Sequence, residues 1–574
     1  MKLLLKYLKP YKWYISLALV IKTSATLIEL AIPYIMSHIL DNVVPRGVVP
    51  PIITWGVVMI VCALLACFGN IVANRMAART ARQSTEGIRH DLFTRIMSLS
   101  SAQVDKFTVP SLESRLTSDT YHIHHLVGMS MRMGVRAPIL LVGGIIMTLW
   151  MDPALTLIML FIAPFIAMTV ILISKRGIPL FKKTQASLDA MTRIVREDSQ
   201  GIRVIKALSK TDYEKRKFDK ANLALVADEK KAGITMAVSN PTVTFLLNLG
   251  LVAVIVAGAV RVSNEATDPG TIVAFIQYFT LISNAMMALA RIFVNSTKAL
   301  ASAGRISEVI NTEPDLRIES EEKYPAVDTD SYISFKNVSF SYLGKKNNLS
   351  DITFELKKGS SLGIIGATGS GKTTLLQLLM RFYDVDEGEI RICGRDVRTI
   401  PHEELNSMFG VVMQNDFIYA GTISDNIRFG REISDKALRL GAETAQAAEF
   451  IEAYEDGYEH PLQSKGTNLS GGQRQRLLIS RALAGSPDIL ILDDASSALD
   501  YKTDSRLRRA IREHFSDITT VVVAQRVSSV MSCECIIVLD EGEIIGMGTH
   551  EELTATCEIY REISDSQIGG AILD

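Results

Sequence analysis

The run Gly366-Ala367-Thr368-Gly369-Ser370-Gly371-Lys372-Thr373 fits the pattern G-x-x-x-x-G-K-[ST], follows the apolar stretch Leu362 to Ile365 and leads into a helical pattern over Thr374 to Phe382. Each residue type there has a use in holding a polyphosphate. Glycines let backbone N–H groups curl around phosphate oxygens, a helix start adds partial positive charge, Lys372 reaches the β- and γ-phosphates, and the Thr373 hydroxyl can ligate Mg²⁺. A second apolar run, Ile489 to Leu492, ends in Asp493, a carboxylate suited to the same metal. Between them, Leu469-Ser470-Gly471-Gly472-Gln473 opens the helical pattern Arg474 to Ala484; a serine and two glycines at a helix start form another anion-binding end. These residues predict ATP and Mg²⁺ as ligands.

The elements that must position them occupy only the second half of the chain. The 574 residues contain 48% apolar and 21% charged residues, and mean hydropathy is +0.21, too oily for an ordinary soluble enzyme and too charged for a wholly membrane-buried protein. A net charge of -1 removes the whole-chain electrostatic case for a nucleic-acid partner. The six cysteines are too few and too scattered to imply a disulfide framework.

Six apolar runs, 13–40, 52–74, 134–151, 153–174, 236–260 and 271–297, are each near or above the ~20 residues that cross ~30 Å of hydrocarbon. Lysines and arginines crowd 75–136 and 175–231 but are almost missing from 41–50 and 262–270, so the two long connections are expected to face the cytoplasm. Helical periodicity persists through them, which predicts spans continuing beyond the bilayer and turning back near Phe107 to Pro110 and Ser209 to Asp212. An interfacial helix is expected over Met1 to Tyr14. The acidic stretch 311–330 predicts a linker, and short β-rich runs alternating with helices from Tyr332 onward predict an α/β domain. The expected division is a membrane domain over 1–310, a linker over 311–330 and a nucleotide-binding domain over 331–574.

Taken together, the phosphate loop, the LSGGQ run at Leu469 to Gln473 and the Asp493 strand resemble the ATP-binding cassette family, specifically half-size exporters, over essentially the whole chain. The resemblance implies an all-α six-helix membrane domain of the type IV exporter fold followed by an α/β nucleotide-binding domain, in the plasma membrane as a multi-pass protein. It implies that Tyr342 stacks on adenine, that Gln414 touches Mg²⁺ and water, and that Ser497-Ala498-Leu499-Asp500 communicates across a dimer. It also implies head-to-tail pairing: one chain's Gly366 to Thr374 face the other chain's Ser470, Gly471, Gly472 and Gln473. Bends near 111–120 and 209–218 resemble the family's coupling helices.

Two positions depart from the family pattern. Asp494 stands where the family usually has a glutamate that polarises the attacking water, and Gln525 stands where it usually has a histidine at the γ-phosphate. A carboxylate one methylene shorter withdraws by about 1 Å, which can cost about 10²-fold in rate, and glutamine cannot carry an imidazolium charge. The expectation is a heterodimer in which this chain's own site is impaired and a partner half-transporter supplies Glu and His. Small lipophilic or amphipathic compounds are the expected cargo, with lipid or peptide export, a homodimer or a non-pumping regulator as alternatives. Lys22 and Glu29, seven residues apart in the first span, are candidate cavity residues, Glu29 as an attractor of cations, the alternative being that both pair with other helices or line a wet cavity structurally. Asn284, Arg291 and Asn295 on the sixth span are candidates for the same cavity.

Overall fold

The computed structural model describes residues 2–568 apart from 343 and 345, and the chain divides into two compact units. Unit 1 comprises Met1–Met97 and Val109–Thr312, and unit 2 comprises Ser98–Thr108 and Glu313–Asp574, of which 569–574 lie outside the described residues.

In unit 1 the described residues form six stretches of helix long and apolar enough to cross a membrane: Leu3–Arg46, Val49–Met97, Val109–Met151, Pro153–Gln200, Thr211–Ser263 and Pro269–Ile310. Inside hydrocarbon a helix satisfies its own backbone, so cohesion between helices rests on close packing and a few polar ties. A Cβ on Gly144 of the third span would fall 2.8 Å from Ile282 Cγ1 of the sixth, so glycine allows that contact. Tyr278 of the sixth span donates its hydroxyl to the Leu30 carbonyl at 2.7 Å. At the ends joined by short loops, Asp41 accepts from the Gly270 amide at 2.6 Å, and Asp152 caps the fourth span while pairing with Arg261 at 2.9 Å. At the other end, Asp119 of the third span holds Ser302 at 2.8 Å and Arg305 through a two-point pair.

The chain breaks at Thr108 and Ser209, within the turns expected near Phe107 to Pro110 and Ser209 to Asp212, but the short helices there do not fall at 111–120 and 209–218, where the coupling helices were expected. The first is the short helix Ser101–Phe107, and the second is Ile202–Ala207. Ser100 caps the former in a reciprocal box with Gln103, and Thr108 at φ 63 ends it, whereas 111–120 is continuous helix. Gly201 and Ser209 (φ 52) bracket the latter. The expected N-terminal helix is broken at Pro10: Lys2–Leu8 is helical, a 3₁₀ turn covers Lys9–Tyr11, and the first span proper starts at Lys12.

Unit 2 holds twelve strands: β1 (Ile333–Phe340), β2 (Leu349–Leu356), β3 (Ser361–Ile365), β4 (Glu387–Ile392), β5 (Arg395–Asp396), β6 (Phe409–Val412), β7 (Gly421–Thr422), β8 (Pro461–Leu462), β9 (Ile489–Asp493), β10 (Thr519–Val523), β11 (Cys535–Asp540) and β12 (Glu543–Gly548). One sheet has the order β2-β1-β4-β5, and the main sheet runs β12-β11-β3-β10-β9-β6. From β11 to β6 every neighbour is parallel, and the strands are continuous apolar runs such as Ile489-Leu490-Ile491-Leu492, as expected of a sheet covered on both faces. The carboxyl ends of β3, β10, β9 and β6 therefore lie side by side, where ligands bind in open α/β sheets.

The acidic stretch expected to be a linker is laid along unit 2 over 313–330. Arg381, 2% exposed, pairs with Asp384 at 2.9 Å and donates to the Arg317 carbonyl at 2.6 Å; Glu319 and Val327 donate their amides to Arg398 and Gly394 carbonyls. Composition signals flexibility, but these backbone groups found partners supplied from far along the chain. Replacing Arg381 by Met should release the segment: trypsin cleavage at Arg317 and Lys323 of the full-length chain should accelerate at least tenfold, and unchanged cleavage would show that the backbone bonds suffice.

Candidate functional site

A cavity of about 260 Å³ sits over the carboxyl ends of β3, β6, β9 and β10. The turn after β3 supplies Thr368, Gly369, Gly371, Lys372, Thr373 and Thr374; Gln414 follows β6, Asp493 and Asp494 end β9, and Gln525 follows β10. Gly371 holds φ 101 at the start of helix Lys372–Leu379, and a Cβ there would fall 2.8 Å from the Asn348 carbonyl, so only glycine fits the turn. Gly366 and Ala367 contribute their carbonyls, which accept from Lys372 Nζ at 2.9 and 2.7 Å, while Ser370 Oγ lies 3.4 Å from the same ammonium. Thr373 donates its hydroxyl to Asp493 Oδ2 at 3.1 Å.

Three charged groups are desolvated together here. Burial pushes the Asp493 carboxyl above the usual carboxylate range, against the hydrogen bond from Thr373. Burial also raises Asp494, opposed first by Arg526, and burial lowers the Lys372 ammonium, opposed by Asp493 and Asp494. Thr373 hydroxyl, Asp493 carboxylate and the Gln414 side chain form an all-oxygen donor set on the rim of this cavity, which fits a hard divalent cation such as Mg²⁺. Such an ion would neutralise charge on phosphate oxygens, while the loop amides and Lys372 orient them.

The two departing residues share this cavity. Asp494 is half-buried at φ 53, and its amide donates to the Val523 carbonyl at 2.9 Å, fixing the backbone from the neighbouring strand. Gln525 is exposed, and its carbonyl accepts from Gln567 Nε2 at 2.9 Å, while Gln567 Oε1 accepts from the Val527 amide at 2.8 Å.

Ser470, Gly471, Gly472 and Gln473 do not line the cavity. Ser470 caps helix Gly471–Leu483, with Gln473 N to Ser470 Oγ at 3.2 Å and Ser470 N to Gln473 Oε1 at 2.9 Å, and the glycines lie beside Ala498. Tyr342 also stands outside the lining: its hydroxyl donates to Gln377 at 2.5 Å and its ring packs edge-on against Tyr383. Tyr383 in turn donates to Asp105 at 2.7 Å, on the short helix that belongs to unit 2. Asn348, Arg526, Gln567 and Asp105 were not marked by the sequence; none sits in a recognisable spacing pattern, and each arrives by tertiary folding.

The membrane candidates separate. Lys22 is 3% exposed and donates to Asn70 Oδ1 at 2.6 Å and Asn74 Oδ1 at 3.1 Å. Glu29 is held in a two-point pair by Arg136 of the third span, Nη2 to Oε1 at 2.5 Å and Nε to Oε2 at 3.2 Å. Glu29 and Lys22 are thus tied to other helices, the structural alternative to a cavity role for this pair. Lys22, Arg291 and Asn295 line one cavity of about 570 Å³, and Asn284 lines an adjoining one of about 260 Å³.

Comparison with known proteins comes to the same place. Residues 15–286 match the model of the ABC transporter transmembrane region, and residues 349–497 match that of the ABC transporter. An uncharacterized ABC transporter ATP-binding protein of Mycobacterium tuberculosis is 34% identical over 570 residues, covering 98% of each chain. Another, of Bacillus subtilis, is 34% identical over 567 residues with the same coverage. Among solved structures, a bacterial Atm1-family ABC exporter with ATP bound shares the fold at TM-score 0.79, with 23% identity and 98% of each chain covered.

Replacing Asp493 by Asn should remove the Mg²⁺ dependence of nucleotide binding. A fluorescent ATP analogue should bind the full-length chain at least tenfold more tightly in Mg²⁺ than in EDTA, and the variant should show less than a twofold difference.

Proposed function

Because the chain belongs to the ABC transporters, with six membrane-spanning helices and a cytoplasmic nucleotide-binding domain, we propose that it is one half of a heterodimeric ATP-driven exporter whose own Lys372 site hydrolyses slowly. The observation that carries this reading is the placement of Asp494 and Gln525 in the cavity that holds Lys372, Thr373 and Asp493, while Ser470 to Gln473 lie outside it with their cap intact. The weakened and the unaltered residues thus belong to different composite sites once two nucleotide-binding domains pair head to tail.

In this chain's own site, the loop amides and Lys372 bind and orient the phosphates, and Thr373, Asp493 and Gln414 hold Mg²⁺. Mg²⁺ supplies charge neutralisation on the phosphate oxygens. Asp494 accepts a proton from the water that must be aligned, but with its backbone tied to Val523 it reaches about one methylene less far than glutamate, a displacement worth about 10²-fold in rate. Gln525 donates a hydrogen bond without charge. ATP is retained here and closes the pair. Ser470 to Gln473 complete the partner's site, where hydrolysis resets the spans, and a cargo of lipophilic or amphipathic small molecules moves outward by alternating access.

The test compares the full-length chain alone with the chain assembled with its partner half. Turnover by the chain alone should be at least tenfold below that of the pair. Asp494→Glu combined with Gln525→His should raise turnover at the weak site by about 10- to 100-fold. Rapid hydrolysis by the unaltered chain alone would overturn the heterodimer in favour of a self-paired pump.

A further inference from the structure

Three cavities of unit 1 are lined, among the described residues, by charged side chains of one sign. The 570 Å³ cavity is lined by Lys22, Arg132, Arg136 and Arg291, and the adjoining 260 Å³ cavity shares Arg136 and Arg291 with an apolar wall that includes Met133, Leu140 and Leu281. A third cavity, of about 840 Å³ between the fourth and sixth spans, joins apolar residues such as Ile171 and Phe293 to Lys175, Lys182 and Lys298. Among the described residues lining these three cavities there is no aspartate or glutamate. Glu29, the nearest carboxylate in the first span, is already taken up by Arg136. Lys22 donates to the neutral amide oxygens of Asn70 and Asn74.

Depth follows from helix rise. The Asp41 to Gly270 hydrogen bond marks a common level for the outer ends of the first and sixth spans. Counting back from it, Lys22 lies about 29 Å and Arg291 about 32 Å inward, while Arg132 and Arg136 lie about 30 and 24 Å from the outer end of the third span. Taking that level as the outer edge of a hydrocarbon core of ~30 Å puts Lys22, Arg132 and Arg291 at the inner-leaflet headgroups, whereas Leu140 and Leu281, about 17 to 18 Å in, stand at acyl-chain depth. The general excess of cytoplasmic-side lysine and arginine does not account for Lys22, which is 3% exposed within a span rather than in a loop.

We propose that this is the binding site for an anionic amphiphile, a molecule with a phosphate or carboxylate head and an apolar tail: the head is taken by Lys22, Arg132 and Arg291, and the tail lies along Met133, Leu140 and Leu281. Its meaning as cargo rests on the export reading above, but the binding itself does not. The test therefore uses nucleotide-free full-length chain in phosphatidylcholine nanodiscs, loaded with an alkyl phosphate that carries a dansyl group on its tail. Octyl phosphate should displace the probe at a concentration at least tenfold lower than octyltrimethylammonium, and inorganic phosphate should not displace it. Arg132→Gln with Arg291→Gln should weaken probe binding at least tenfold, and Arg291→Lys should keep it within threefold. If the double variant loses fluorescent-ATP binding and so proves misfolded, Arg291→Gln alone, altering an exposed side chain, serves with an expected loss of at least threefold. Equal displacement by the cationic amphiphile, displacement by inorganic phosphate, or unchanged binding in a folded variant would each overturn the assignment. None of these outcomes depends on ATP turnover, so a failed export reading would leave a distinct signature.

Discussion

A carboxylate taken out of water at the end of a strand must be answered by another polar group, and the ATPase unit is organised around the answer given to Asp493. That residue is 2% exposed, and Thr373 meets it at 3.1 Å across the cavity. An unanswered buried carboxylate would cost several kcal/mol, so the bond fixes the phosphate-loop helix against β9. The sheet order makes this meeting unavoidable. β10 lies between β3 and β9, which sets the turn that carries Lys372 and Thr373 two strands away from Asp493 and places Gln525 between them.

The same geometry explains why one methylene matters at position 494. If the backbone there could shift, a shorter side chain would be absorbed by a small movement of the turn. It is held instead: the amide of Asp494 bonds the Val523 carbonyl, Ser497 folds its hydroxyl back onto the Asp494 carbonyl at 2.9 Å, and the residue sits at φ 53. Aspartate is among the few non-glycine residues that populate this left-handed region readily, because its short polar side chain can bond locally. Side-chain length is then the variable that decides how far the carboxylate reaches.

What could be read before folding was whatever a local pattern encodes. The phosphate loop, the Asp493 strand and the Ser470 cap each lie within a few consecutive residues, and six spans follow from apolar length, so these were legible. Pairing between distant residues was not. Glu29 by itself reads as a membrane carboxylate, and nothing in the local sequence says that Arg136, more than a hundred residues later, will close on it. The stretch 313–330 has the composition of free chain, yet Arg381 and the Arg398 and Gly394 carbonyls hold it. The breaks at Thr108 and Ser209 lie where proline and turn residues mark them, but the short helices 101–107 and 202–207 precede those breaks rather than follow them, because a cap such as Ser100 with Gln103 decides where a helix starts.

The charges of the membrane unit pose the converse problem to Asp493, since they are left without a full answer inside the chain. A lysine or arginine at mid-bilayer carries a penalty of about 2.5 to 3.5 kcal/mol on insertion scales, lessened toward the interface. Lys22 receives two neutral amides, which satisfy hydrogen-bond donors without bringing a charge into contact with it. In a cavity of low dielectric an anion brought among such groups is held far more strongly than in water, because the Coulomb energy of a pair scales inversely with the dielectric constant. Opening the same cavity to water screens those attractions without moving any cation. If the site binds as proposed, a cycle that alternates between a closed, dry cavity and an open, wet one would capture and release an anionic head with the same three residues, Lys22, Arg132 and Arg291, and the cost of burying them is the condition for that change in affinity.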